Sequence, residues 1–284
     1  MEIITTVGEL RDALEPGRLA GRTIGFVPTM GFLHEGHLSL IRESVTQSDV
    51  TVVSIFVNPT QFGPREDLDS YPRDAAGDAR LCQDAGVDVL FMPTVEEVYP
   101  PGDRTGVEPG PLAEPLCGSF RPGHFRGVAT VVAKLFNMVQ PHRAWFGRKD
   151  YQQALVIQRM VRDLHVPVEV IALPTIREAD GLAVSSRNAH LSPEARSRAA
   201  CLSRGLFAAL DAFRRGERDS ERLLAIARAY LGETDSIQYL ELVHAETLER
   251  IAGTVDAPAV MCTAAFIGGT RLIDNVLLSG SSDA

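Results

Sequence analysis

Lysine is almost missing from this chain of 284 residues. Only Lys134 and Lys149 stand among 28 basic residues, so the other 26 are arginines. Codon composition is the plain reason for so strong a bias, and a lysine that persists against it draws notice because a compact ammonium does what a planar guanidinium does not. Lys149 lies between an apolar run and a helical pattern and reads as functional; Lys134 sits inside a predicted helix and reads as structural. Cysteine is also sparse: Cys82, Cys117, Cys201 and Cys262 lie far apart with no CxxC spacing, which excludes a disulfide framework or a zinc knuckle and fits reduced thiols in packing roles. No apolar run approaches about 18 residues, and no basic segment followed by an apolar one opens the chain, so neither a membrane span nor a signal peptide is expected and a cytoplasmic location is. Positive charge is in deficit, with a formal net charge of -9 and a pI near 5.3. That argues against a nucleic-acid partner held on a broad basic face and leaves room for a local basic pocket that takes small phosphorylated substrates.

What is present is a core and a rhythm. Hydrophobic residues make up 45% of the chain, enough for one large or two modest domains. Apolar runs bounded by turn residues recur at 24–27, 50–57, 87–92, 144–146 and 168–173, with helical patterns at 36–48, 74–85, 127–139 and 151–164. Strands alternating with helices predict an α/β fold: a Rossmann-like parallel sheet with helices on both faces, over residues 1–175. The pattern changes near 176. Two amphipathic helices at 193–215 and 219–232, then strands near 237–243, 259–267 and 271–277, predict a smaller C-terminal α+β domain over 176–284, closing over the nucleotide site, with a frayed tail from 279 on. The segment 94–122 is rich in Pro and Gly and lacks periodicity; it reads as a lid, a binding loop or a mobile connection. No internal repeat or low-complexity tract is present.

The richest stretch is Pro28-Thr29-Met30-Gly31-Phe32-Leu33-His34-Glu35-Gly36-His37. It reads as a buried strand ending in a turn that opens a helix, with two histidines three apart facing one side. Unpaired N–H groups and the positive dipole end of a helix suit a polyphosphate, so ATP is expected here. A zinc pair or two solvated histidines is the bland alternative, and the absence of a nearby Cys or third His weighs against zinc. Three further clusters add to it. Asn58-Pro59-Thr60-Gln61 brings amides beside apolar neighbours, fit for a small acid or for a plain polar turn. Gly147-Arg148-Lys149-Asp150-Tyr151-Gln152-Gln153 places Lys149 to reach phosphate, with Asp150 either capping the helix or binding ribose, and Gln153 about one turn on. Ser185-Ser186-Arg187-Asn188 offers two hydroxyls and a guanidinium at an inferred interdomain cleft, or is only a turn.

These clusters, in this order, resemble the pantothenate synthetase family, ATP-dependent ligases of pantoate and beta-alanine within the nucleotidylyltransferase superfamily that carries an HxGH signature. His34-Glu35-Gly36-His37 matches that signature, and Ser185-Ser186-Arg187-Asn188 matches the loop that replaces the superfamily's KMSKS motif. The resemblance runs from about 24 to 191 and takes in Phe120-Arg121-Pro122-Gly123-His124-Phe125-Arg126-Gly127 and Arg177-Glu178-Ala179-Asp180-Gly181. It implies His34, His37, Lys149, Ser185, Ser186 and Arg187 as catalytic positions. It implies an ATP site made of Met30, Gly31, His34, His37, Gly147, Lys149, Asp150, Ile176, Ser185, Ser186 and Arg187, and pantoate held by Gln61, Gln153 and Met30. Asp78 corresponds to an acidic residue near Mg²⁺, although Gly77 precedes it where relatives often carry another acid. The implied activity is condensation of pantoate with beta-alanine to pantothenate, AMP and pyrophosphate through a pantoyl adenylate, on the route to vitamin B5 and coenzyme A, by a homodimer.

Rival readings remain at this stage. An adenylyltransferase acting on a phosphorylated cofactor precursor would need a second phosphate site, where Gln61 and Gln153 offer neutral amides. A regulatory nucleotide-binding module would lack an acceptor pocket, and an aminoacyl-tRNA synthetase would need an RNA-binding surface that this acidic chain does not offer.

Overall fold

The structure is a computed structural model and describes residues 1–64 and 66–278; the tail expected to fray lies outside the described residues. By internal contacts the chain divides into two compact units. The first comprises Met1–Ala113, Arg121–Arg148 and Gln153–Leu173. The second comprises Glu114–Phe120, Lys149–Gln152 and the described residues from Pro174 on.

The first unit is built on a six-stranded parallel sheet. Its elements run β1 (Glu2–Ile4), α1 (Val7–Leu19), β2 (Ile24–Thr29), α2 (Glu35–Gln47), β3 (Val50–Ile55), α3 (Ala75–Asp84), β4 (Val89–Phe91) and α4 (Val95–Val98). After a short helix α5 (Cys117–Phe120) that belongs to the second unit come α6 (His124–Val139), β5 (Arg143–Gly147), α7 (Tyr151–Asp163) and β6 (Glu169–Leu173). Strand order is β1-β4-β3-β2-β5-β6, so β2 and β5 are neighbours although two strands separate them in the chain. The direction of winding reverses between them, and it is outside the carboxyl ends of the strands at such a point that open α/β sheets bind ligands. Ile24, Phe26 and Val27 are fully buried, as a central strand covered on both faces requires. Val27, Ile41, Val53, Leu90 and Trp145 share one cluster of the core.

The second unit packs helices on a three-stranded antiparallel sheet. It contains α8 (Pro193–Ala199), α9 (Cys201–Arg214), α10 (Ser220–Arg228), β7 (Ser236–His244), β8 (Ala259–Ile267) and β9 (Thr270–Leu278), in sheet order β7-β8-β9. Leu202, Leu206 and Leu210 of α9 meet Leu223 of α10 and Leu240 and Met261 of the sheet in one buried cluster.

The α/β and α+β architectures are as expected; several elements differ. The first twenty residues hold a strand and a helix that the hydrophobic pattern hides, since β1 has three residues and α1 carries Pro16. A capping box between Thr6 and Glu9 starts α1 and is visible only locally. The helix expected at 127–139 begins three residues earlier, at His124. The one expected over 193–215 breaks into α8 and α9 at Ala200. The segment 94–122 is not plain loop: it holds α4, a 3₁₀ turn at Gly110–Ala113 and α5.

Candidate functional site

The turn after β2 is shaped by backbone in the left-handed region at two consecutive residues, Gly31 with φ +84° and Phe32 with φ +52°. The first is free for glycine; the second costs a phenylalanine about 1–3 kcal/mol and needs support from its surroundings. Asp78 of α3 supplies it. One carboxylate oxygen accepts the Phe32 N–H at 2.8 Å and the other accepts the Leu33 N–H at 2.7 Å, while Thr29 Oγ1 accepts the Gly31 N–H at 3.2 Å. The chain then enters α2 with His34 at its N-cap in extended backbone. The two imidazoles stack, centroids 4.0 Å apart and planes 24° from parallel. Gly36 allows this, because a Cβ there would lie 3.0 Å from the His34 ring. His37 Nδ1 accepts a long hydrogen bond from the His34 N–H at 3.4 Å, so a neutral His37 carries its proton on Nε2.

Beside this turn opens a cavity of about 310 Å³, lined by Met30, Gly31, Phe56, Arg73, Asp74 and Asp78 among others. Burial pushes the Asp78 carboxyl up, the Leu33 and Phe32 N–H groups pull it back, and the charge of Asp74 adds to the rise. Gln61 closes a 3₁₀ turn after β3, and its side chain is buried and held at both ends. Its Oε1 accepts from Asn58 Nδ2 at 3.1 Å and its Nε2 donates to Met30 Sδ at 3.1 Å. Two of the residues expected at the pantoate site, Gln61 and Met30, are thus in contact. Gln153 stands half-buried on α7 and takes part in none of these hydrogen bonds. Gly147 ends β5, paired in register with Leu173 of β6.

In the second unit, Lys149 and Asp150 occupy a 3₁₀ turn, Lys149 Nζ 3.7 Å from Asp150 Oδ2. Asn275 of β9 donates from Nδ2 to the Lys149 carbonyl at 2.9 Å and so fixes the backbone from which the ammonium extends. Ser185 caps the 3₁₀ turn Ser186–His190, its Oγ accepting the Arg187 N–H at 3.3 Å; Ser186 is buried and Arg187 half-buried. The segment leading there is tied down by Arg177, whose guanidinium grips both oxygens of buried Asp274 at 2.7 and 2.8 Å and donates to the carbonyls of Gly181 and Asn275. The Val184 N–H donates to the Ile176 carbonyl at 3.0 Å. Arg196 pairs with Asp180 and Glu178 on the outer side.

Asp274 and Asn275 escape a reading of the sequence, because nothing near them in the chain marks them and the residues they hold lie far upstream. Lys134 donates to the Val98 carbonyl at 3.0 Å and pairs with Asp103 at 2.9 Å, the structural use read for it. All four cysteines are free and buried, with burial pushing the Cys82 thiol up to about 12 and the Cys201 thiol up to about 11, so neither is a thiolate near neutral pH. For Mg²⁺ the described residues make no cage of protein ligands. Both Asp78 oxygens already accept N–H groups, and among the described residues no cluster of three His, Cys, Asp or Glu side chains is arranged to hold a metal. No helix among them is long and apolar enough to cross a membrane.

Against known proteins, the family described as Pantoate-beta-alanine ligase matches residues 2–277. Pantothenate synthetase 1 of Bradyrhizobium diazoefficiens is 60% identical over 281 residues, covering 99% of both chains. A pantothenate synthetase structure from Thermus thermophilus superposes with TM-score 0.92 at 50% identity, covering 97% of this chain and 99% of its own. A pantoate-beta-alanine ligase from Francisella tularensis, complexed with beta-gamma ATP and beta-alanine, matches with TM-score 0.79 at 33% identity over 99% of this chain and 100% of its own.

Proposed function

We infer how this chain works from the family to which it belongs, the pantoate-beta-alanine ligases: it is an enzyme that joins pantoate to beta-alanine and forms pantothenate. On our reading the reaction has two steps. The carboxylate of pantoate attacks the α-phosphate of ATP and releases pyrophosphate; the amine of beta-alanine then attacks the pantoyl adenylate and releases AMP. The observation that carries this reading is the stacked His34–His37 pair on the N-terminus of α2, in the same unit as the Gln61–Met30 contact. One pair suits phosphate, the other a hydroxylated acid with an apolar face.

A carboxylate is already a nucleophile at neutral pH, so the first step needs no general base. It needs charge neutralised as the phosphorus centre becomes crowded and pyrophosphate leaves, and donors fixed beforehand do this best. His34 and His37 at the N-terminus of α2 are assigned that role. By the family resemblance Lys149, Ser185, Ser186 and Arg187 are assigned to it too, and Met30, Gly31, Gly147, Asp150 and Ile176 to binding the nucleotide. Gln61, Gln153 and Met30 orient pantoate. Mg²⁺ bound with ATP would offset the charge of the phosphates, a mode that needs few protein ligands, with Asp78 the acidic residue that the resemblance sets near it. For the second step the site must keep water from the adenylate. The same resemblance implies a homodimer working in the cytoplasm.

The test is to supply ATP, Mg²⁺ and pantoate with and without beta-alanine and to follow pyrophosphate and AMP. Sustained turnover is expected only with both substrates present. Pyrophosphate release that ignores pantoate would overturn the adenylate reading.

A further inference from the structure

The motif Phe120-Arg121-Pro122-Gly123-His124-Phe125-Arg126-Gly127 has no part in the chemistry above, yet the structure sets it directly behind Gln61. His124 is buried at the first position of α6, and its Nδ1 lies 2.9 Å from the Gln61 carbonyl oxygen. Its Nε2 lies 3.1 Å from Arg121 Nη1. A carbonyl only accepts and a guanidinium only donates, so the ring is the neutral tautomer with its proton on Nδ1. Arg121 Nη2 donates to the same Gln61 carbonyl at 3.3 Å, and Arg121 is itself oriented by Glu66, Nε to Oε1 at 2.8 Å. Two donors therefore converge on one main-chain oxygen. Gly127, one turn on, lets α6 approach closely: a Cβ there would sit 2.5 Å from the Thr60 carbonyl oxygen. Its carbonyl accepts from Asn58 Nδ2 at 3.2 Å, and that amide also donates to Gln61 Oε1.

We propose that Arg121 and His124 are positioning residues that set where the Gln61 amide stands for pantoate; this rests on the reading of Gln61 as a pantoate-binding side chain. Gln61 lies in a three-residue 3₁₀ turn beyond the end of β3, outside the sheet ladder, so its main chain is held by these side chains rather than by strand pairing. A site residue displaced by a fraction of an ångström loses binding that preorganisation would have secured. The tautomer adds a requirement: the ring must both donate at Nδ1 and accept at Nε2, which no aliphatic or aromatic replacement does.

His124→Phe keeps the ring's volume and removes both hydrogen bonds. We expect it to raise the KM for pantoate about tenfold while the KM for ATP stays within about twofold. His124→Asn, whose amide nitrogen falls near the place of Nδ1, is expected to recover most of that loss. A merely structural role would instead lower the melting temperature or the active fraction and leave the ratio of the two KM values alone, and that result overturns the proposal. Gln61→Ala separates the two layers. If it leaves the KM for pantoate unchanged, the reading of Gln61 falls and takes the proposal with it. If it raises that KM and His124→Phe does not, the positioning role alone falls. In the double variant the His124→Phe effect should shrink, because the side chain it positions is gone. Should His124→Phe fail to fold, Arg121→Gln is measured by the same KM ratio with the same two outcomes.

Discussion

Two loops carry most of the residues expected to handle ATP, and each is held by a buried aspartate in a different way. In the first unit Asp78 holds main chain: its two oxygens take the N–H groups of Phe32 and Leu33, and the turn that delivers His34 keeps a left-handed phenylalanine because of it. In the second unit Asp274 holds a side chain: its oxygens take Arg177, which spreads the restraint to Gly181 and Asn275 and lies over the Phe207 ring at 4.8 Å. Main-chain donors leave Asp78 with its charge incompletely offset, and burial raises its carboxyl. The folded form therefore binds a proton more readily than the unfolded chain, and ionising Asp78 costs stability as pH climbs from the ordinary aspartate value to the raised one. A backbone clamp is rigid and locally expensive. A guanidinium clamp carries its own counter-charge and reaches several partners at once.

The comparison breaks most visibly at the second loop. Asp274→Ala leaves a guanidinium, only 18% exposed, without its anion, and should cost about 3–5 kcal/mol in urea unfolding. A loss under about 1 kcal/mol would mean that Arg177 finds other partners and the clamp is dispensable. Lys149→Ala comes next and acts on chemistry. Its backbone is held by Asn275 whatever the side chain, so the fold should survive. Single-turnover pyrophosphate release should fall about 10²- to 10³-fold, since a preorganised cation is removed. A variant within about threefold of the parent would remove Lys149 from the site.

How much of this was legible depended on sequence distance. The histidine turn could be read because strand, turn, N-cap and both imidazoles lie within ten consecutive residues, and Lys149 because it is one of two lysines. The alternation of strands and helices announced the parallel sheet. What holds those residues could not be read. Asp78 is 45 positions from Leu33, Asp274 is 97 from Arg177, and Asn275 is 126 from Lys149. Such pairs exist only once the sheets have formed. The resemblance implied Asp78 near Mg²⁺; that its two oxygens also hold the main-chain N–H groups of Phe32 and Leu33 was not legible in the sequence. Short elements were lost for another reason: three residues of β1 carry no period, and Pro16 disguised α1.

The first loop yields a smaller effect than the second. Asp78→Ala orphans two N–H donors and frees the turn, for about 2–3 kcal/mol in thermal or urea unfolding. Hydrogen exchange should then speed up at Phe32 and Leu33 while the amides of β8 stay protected. Uniform acceleration across both units would show that Asp78 supports the whole fold rather than its turn. Glu66 sharpens the contrast most finely, because it belongs to the first unit yet has the second loop's kind of partner. Burial raises its carboxyl, but the hydrogen bonds and charge of Arg121, with the Gly63 N–H, pull it net below the ordinary value of 4.5. The sign is thus opposite to that of Asp78: the stability Glu66 supplies is fully present above its ordinary value and is lost as pH falls through the depressed one. Glu66→Gln should be about 1 kcal/mol less stable than the parent at neutral pH, and the gap should close in acid, where the parent's carboxylate is protonated too. A gap that persists unchanged into acid would assign the difference to packing and not to the ion pair. In that case the kind of partner would not separate the two modes of holding a carboxylate, and the depth of burial would.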